Sequence, residues 1–260
     1  MKRIIFLITV MTLLVTSVTT AFAGTTNVQV NPADATVEIS RPSTNYSNFK
    51  VIVEKDDVEY IYDLTSDFDA FPLQMGSGQY KITILGSNDG RRFRLLSDDK
   101  IDVVLEENAV FLSASQTVNW DNASEVATLA KTLTKNAKTD REKLEAIHKY
   151  VVKNISYDYT KANNLPKGYI PFAESTLTDG SGICYDFAAL TASMLRSVNV
   201  PTKLIKGYSS FTPVYHAWNE VLVDGEWIVI DTSTDSIFAA YNVSYSLEKN
   251  VEDYNTSKVY

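Results

Sequence analysis

The stretch Val214–Ser233, VYHAWNEVLVDGEWIVIDTS, is two alternating apolar runs joined by Asp224-Gly225, a two-residue hairpin signal. Taking that dipeptide as the turn pairs Val223 with Glu226. Counting back, Trp218 faces Asp231 and His216 faces Ser233. Paired residues share a face and side chains alternate with a period of two, so His216, Trp218 and Asp231 point the same way. His216 and Asp231 are then diagonal neighbours with Cβ atoms up to roughly 7 Å apart, a gap an imidazole and a carboxylate can bridge. Each also has an ordinary reading alone, as a half-buried histidine and a strand-end carboxylate in a turn. The register follows from the turn, and it places a carboxylate where it can orient a histidine.

Just upstream, DGSGICYDFAALTASMLRS (Asp179–Ser197) holds the single cysteine of the chain, Cys184. The spacing predicts a helix with Ser181 as N-cap and Phe187, Leu190, Thr191, Met194, Leu195 and Val198 as its buried stripe, ended by Asn199-Val200-Pro201. Cys184 falls in the first turn, where unpaired amide N–H groups and the helix dipole favour a thiolate. Gly180 and Gly182 leave room for close approach to the backbone. Equally, Cys184 continues the stripe at 187, 191, 194 and 198, as an inert core thiol would. The hairpin decides between them. A thiol nucleophile needs a base, and the base needs a group to hold its tautomer; Cys184, His216 and Asp231 make that set. The other histidine, His148, lies beside Ile147 and Val151 with no carboxylate at an obvious orienting distance in sequence, and reads as structural.

Further out, the chain changes character. From about Thr25 to Ser115 the pattern has period two, with runs at Val51–Val53, Tyr60–Tyr62, Tyr80–Leu85 and Ile101–Leu105 separated by Asp, Asn, Gly and Ser. These predict a small antiparallel β-sandwich without a catalytic constellation. After it, Asn122-Ala-Ser-Glu125 and Thr139-Asp-Arg-Glu142 read as capping boxes. Val126, Leu129, Ala130 and Leu133, then Leu144, Ile147, Val151 and Val152, repeat at helical spacing. The switch near Trp120 divides the chain into a β-sandwich-like domain (24–118) and an α+β domain (119–260). Residues 1–23 read as a signal peptide: Lys2 and Arg3, an apolar run Ile4–Val15, and Ala21-Phe22-Ala23 as the cleavage site. That predicts a secreted or cell-surface protein cleaved after Ala23.

The net charge is −8, and losing Lys2 and Arg3 makes it −10. An acidic chain argues against nucleic acid as a partner, since phosphates call for clustered Lys and Arg. Beyond the leader no segment is apolar enough to span a bilayer, so membrane insertion of the mature chain is not expected. One cysteine forbids an internal disulfide, and with two histidines the usual metal clusters are missing. No metal and no cofactor is expected.

G-I-C-Y-D-F-A-A-L, then V-P-T-K-L-I-K-G-Y, then H-A-W-N-E-V and W-I-V-I-D-T, resemble the transglutaminase-like superfamily over roughly 123–236, in the family's order and spacing. The resemblance implies an α+β, papain-like core of helices and antiparallel sheet, here preceded by the sandwich, a combination similar to exported proteins of Gram-positive bacteria. It implies Cys184 as nucleophile, His216 as general base and acid, and Asp231 as orienting carboxylate. Thr232 stands where the family often has proline. Asn154–Tyr159 resembles the stretch before the family's active-site helix. Tyr157 and Tyr159 stand either in a cleft or in the core, and Gly182, Tyr185 and Trp218 complete the candidate cleft residues. The implied chemistry is acyl transfer through a thioester on protein or peptide amides, resolved by water or by an amine, the partner being a protein or peptide substrate associated with the cell wall. The reading from another class is a non-catalytic surface module that binds a partner through the sandwich and keeps the second domain as scaffold; a cleft plugged by the sandwich or by the tyrosine-rich segment Tyr241–Tyr260 would favour it, or an inhibited precursor.

Overall fold

Between Asn48 and Lys55 the side chains of Phe49, Val51 and Val53 are buried and those between them are not, the alternation of a strand with one wet face. The computed structural model describes residues 28–260, so the signal segment 1–23 lies outside the described residues. Seven strands come first: β1 (Val28–Asn31), β2 (Thr36–Ser40), β3 (Asn48–Lys55), β4 (Val58–Asp63), β5 (Phe68–Pro72), β6 (Gly78–Ser87) and β7 (Arg94–Val103). They make two antiparallel sheets, ordered β1-β2-β5 and β4-β3-β6-β7. Val37, Ile39 and Phe71 from one sheet meet Val51, Val53, Tyr80, Ile82 and Ile84 from the other in a single core. The predicted runs fall in β3, β4, β6 and β7. Val104 and Leu105 lie past the end of β7, with Val104 left 85% exposed.

The second half is built around one helix. In chain order come α1 (Glu125–Leu133), α2 (Asp140–Asn154), β8 (Ser156–Tyr157), α3 (Tyr159–Asn163), α4 (Ala173–Asp179), β9 (Ser181–Gly182) and α5 (Cys184–Arg196). Then follow β10 (Thr202–Ser209), β11 (Thr212–Val223), β12 (Glu226–Ile230), α6 (Thr232–Ala240) and β13 (Tyr254–Val259). The sheet β12-β11-β10-β13 is antiparallel. It covers one side of α5, and α1, α2, α4 and α6 pack on the rest. Every residue from Asp186 to Arg196 is therefore buried, where the sequence predicted only a stripe. A helix enclosed on all sides has no wet face to keep polar.

Three helix starts differ from expectation. Ser124, not Asn122, caps α1 and accepts from the Ala127 N–H at 3.1 Å, because Asp121 forms the preceding turn by accepting from Ala123 N–H at 2.7 Å. Thr139 caps α2 as predicted, but Glu142 reaches back to Lys138 N–H rather than to the cap residue. Ser181 does not cap α5 either. It lies in β9, paired in parallel with β8, and the cap is Ile183. The Ile183 N–H donates to Asp186 Oδ2 at 2.8 Å, so the carboxylate three residues on satisfies the cap residue's own amide, the reciprocal half of a capping box.

The halves are tied by buried groups. Tyr260 sets its ring edge-on to Tyr60 and Tyr62 at 5.6 and 6.3 Å. Arg196, 1% exposed, donates to the carbonyl oxygens of Ser113, Thr202 and Tyr260 at 2.7, 2.8 and 3.0 Å. Among the described residues no helix is long and apolar enough to cross a membrane.

Candidate active site

The β11–β12 hairpin turns at Asp224 and Gly225, both at positive φ, and Val223 pairs with Glu226. Pairing runs back to Asn219 opposite Ile230 and stops there, so the predicted strand through Ser233 is three residues too long. The reason is a cap. Asp231 leaves the ladder and accepts from the Thr234 N–H at 3.0 Å as N-cap of α6. This keeps its carboxylate beside the hairpin, where Oδ2 lies 2.7 Å from His216 Nε2.

Asp231 is 1% exposed and surrounded by donors. Besides His216 and the Thr234 N–H, it accepts from the hydroxyls of Thr234 at 2.7 Å, Ser233 at 2.8 Å and Tyr254 at 3.1 Å. Burial pushes its pKa up, but the His216 and Thr234 contacts outweigh that and hold it at about 2. His216 shows the reverse. Burial alone would lower it, and hydrogen bonds and charge from Asp231 and Cys184 raise it to about 10, which favours imidazolium. With Nε2 committed to Asp231, Nδ1 is the nitrogen left for Cys184. Thr232 is buried and shares a 3.1 Å hydrogen bond with Thr191.

Cys184 is the first residue of α5 and half-buried. Its side chain meets His216 on one side and Tyr157 on another. The Tyr157 hydroxyl also meets the Cys184 main chain; burial and then the charge on Cys184 raise its pKa to about 12. Cys184, His216, Asp231 and Tyr157 thus stand together, brought from α5, β11, the start of α6 and β8.

The other candidate cleft residues divide. Tyr159 is 55% exposed, its ring 4.9 Å from that of Tyr157. Tyr185 is half-buried, its ring edge-on to Tyr169 at 6.4 Å. Trp218 is 1% exposed, which removes it from any cleft: it lies under His216 with ring planes 24° apart and packs on Tyr254 at 5.0 Å. Gly182 is buried too, and a Cβ there would come within 2.6 Å of Asp186 Cβ. Its bareness admits the capping carboxylate rather than a substrate.

Sequence reasoning missed two neighbours. Tyr254 supports Asp231 from β13, 23 residues away, with no local signal to mark it. His148 does have a carboxylate. Its Nε2 lies 2.8 Å from Asp235 Oδ2, and Lys249 binds the other oxygen of Asp235. The partner comes from 87 residues away on α6, and this second pair has no thiol beside it. Among the described residues no cluster of three or more His, Cys, Asp or Glu could hold a metal.

Comparison with known proteins gives partial matches. UPF0252 protein MJ1282 of Methanocaldococcus jannaschii is 31% identical over 104 residues, 36% of this chain and 30% of that protein. Kyphoscoliosis peptidase of Homo sapiens is 28% identical over 118 residues, 42% of this chain and 18% of that protein. The chain thus spans less than a third of either relative. Among solved structures, the periplasmic domain of TgpA from Pseudomonas aeruginosa is similar with a TM-score of 0.39 at 11% identity, over 84% of this chain and 96% of that one. The family model of the transglutaminase-like superfamily matches residues 127–232, from α1 to the start of α6.

Proposed function

We propose that the protein is an exported, cysteine-dependent acyl-transfer enzyme acting on amides of protein or peptide substrates. The observation that carries this is the meeting of Cys184 at the start of α5 with the His216–Asp231 pair, whose 2.7 Å bond fixes the imidazole. Export rests on the leader-like residues 1–23, and a substrate at the cell wall is the corresponding location.

In the proposed reaction the Cys184 sulfur attacks the amide carbonyl, and the C–N bond breaks as His216 passes a proton to the leaving amine. The product is a thioester on Cys184. Water, deprotonated by His216, would release an acid; an amine would release a new amide. The carbonyl oxygen that becomes negative needs donors at the sulfur. The Cys184 main-chain N–H and the Tyr157 hydroxyl that meets it would serve as those donors. Asp231 holds the imidazole and stabilises its charged form.

The test is the rate of Cys184 alkylation against pH in the parent and in His216→Ala. Rapid labelling below about pH 7 in the parent, confined in the variant to the range of an ordinary thiol near 8.5, is the expected result. Slow labelling of both with the same alkaline profile would remove the enzymatic reading and leave a scaffold. Cys184→Ala should lose all thioester trapping while keeping its melting temperature.

A further inference from the structure

Lys206 and Lys258 stand opposite each other across β10 and β13. Like charges at directly opposed positions destabilise a sheet pair. Neither lysine makes an ion pair with any described carboxylate, although the chain carries 32 acidic residues against 24 basic ones. Lys258 is held at its far end, donating to the Glu59 carbonyl at 2.7 Å and lying 4.4 Å from the Tyr60 ring centroid. Lys206 meets two rings. Its Nζ is 3.5 Å from the centroid of Tyr185 and 5.0 Å from that of Tyr260.

Lys206 also pairs with Ala217 of β11, which packs on Ala188 and Ala189 of α5, so its side chain shares the sheet face turned to the helix that begins at Cys184. Tyr185, the ring beneath it, is the residue after that cysteine. Burial lowers the Lys206 ammonium to about 8, and the negative charge of Cys184 works against that lowering. At neutral pH the group is still a cation. An aromatic cage holds a cation in place without neutralising it. A half-buried ammonium caged by the ring next to Cys184 in sequence, on the strand position beside Gly207 that pairs with His216, is complementary to an anion that arrives from outside.

We propose that Lys206 recognises a carboxylate on the acyl donor, close to the carbonyl that Cys184 attacks. The substrate class is then an acidic peptide, with an Asp or Glu side chain or a free C-terminus beside the reacting bond. This rests on the acyl-transfer reading and adds the substrate's charge to it. A neutral donor would leave the caged ammonium unpaired, which is how a site of this kind discriminates.

The test uses the full mature chain and two reagents that differ in charge, iodoacetate and iodoacetamide. The ratio of their rates at Cys184 cancels any change in the reactivity of the sulfur itself. In Lys206→Met the iodoacetate-to-iodoacetamide ratio should fall by roughly fivefold or more, the scale of one partly screened charge a few ångströms away, and Lys206→Arg should keep it within about twofold. Circular dichroism confirms that each variant is folded. The parent gives a second reading that needs no variant: glutarate should slow iodoacetamide labelling and glutaramide should not. An unchanged ratio in folded Lys206→Met, or equal effects of the two glutaric compounds, would overturn the inference while leaving the acyl-transfer reading intact. Failure of both reagents to label the parent would instead overturn that reading, and this inference with it.

Discussion

Asp231 is the residue on which the site turns, because its two oxygens take five donors in a buried pocket. In Asp231→Asn one oxygen becomes an NH2 group facing donors, so some of those bonds turn into repulsions. The variant should lose about 3 kcal/mol or more in urea unfolding, the cost of breaking a buried pair from one side. The pair also predicts how stability follows pH. Asp231 titrates at about 2 when folded against an ordinary 3.8, so it contributes stability above pH 4 that is lost as pH falls through 2. His216 is raised from 6.5 to about 10, so its contribution is full below 6.5 and lost as pH rises through 10. Urea midpoints across pH should fall at both limits in the parent, and His216→Ala should flatten the alkaline fall. At this scale the sequence was informative. The Asp224-Gly225 turn alone set the register that put His216 and Asp231 on one side. What it did not reveal was the cap geometry that takes Asp231 out of the strand.

At the scale of elements, two close approaches position the site. Asp186 caps α5 and also receives Lys161 Nζ at 2.7 Å and the Tyr169 hydroxyl, so one carboxylate fixes the helix start and the segment between α3 and α4. Asp186→Ala should cost about 1–2 kcal/mol as a lost cap and, by limited proteolysis, open cleavage between 164 and 172 before the rest of the chain. The other approach is at Gly207, where a Cβ would sit 2.0 Å from the Asn255 carbonyl oxygen and 2.8 Å from the Trp218 ring. Gly207→Ala should push β13 away and tilt Trp218, slowing Cys184 labelling although no reacting group is altered. The sequence marked α5 by its periodicity but misplaced its cap on Ser181, because a serine before a helix is a local signal and the Asp186 contact appears only once β8 and β9 pair.

For the whole molecule, the buried Arg196 links the core to the region around Ser113 and to Tyr260. Arg196→Met removes three charged hydrogen bonds, at a cost of roughly 1.5–3 kcal/mol for each bond lost. Calorimetry should then show the sandwich and the helical part melting apart instead of together. Long-range ties of this kind were not legible beforehand. Periodicity found the strands at Val51, Tyr60 and Tyr80, since alternation is local. It said nothing of His148 meeting Asp235, or of Tyr260 entering the core of the sandwich, since those contacts join residues 87 and about 200 apart.

The position of β13 has a consequence for the order in which the molecule is completed. Synthesis runs from the N-terminus, so the strand carrying Tyr254 appears after every other strand of its sheet. Until it docks on β10, Asp231 lacks one of its donors, Trp218 lacks the ring at its back, and Lys206 lacks one wall of its cage. A nascent chain therefore carries Cys184 and His216 before the contacts that β13 makes around Asp231, Trp218 and Lys206 exist.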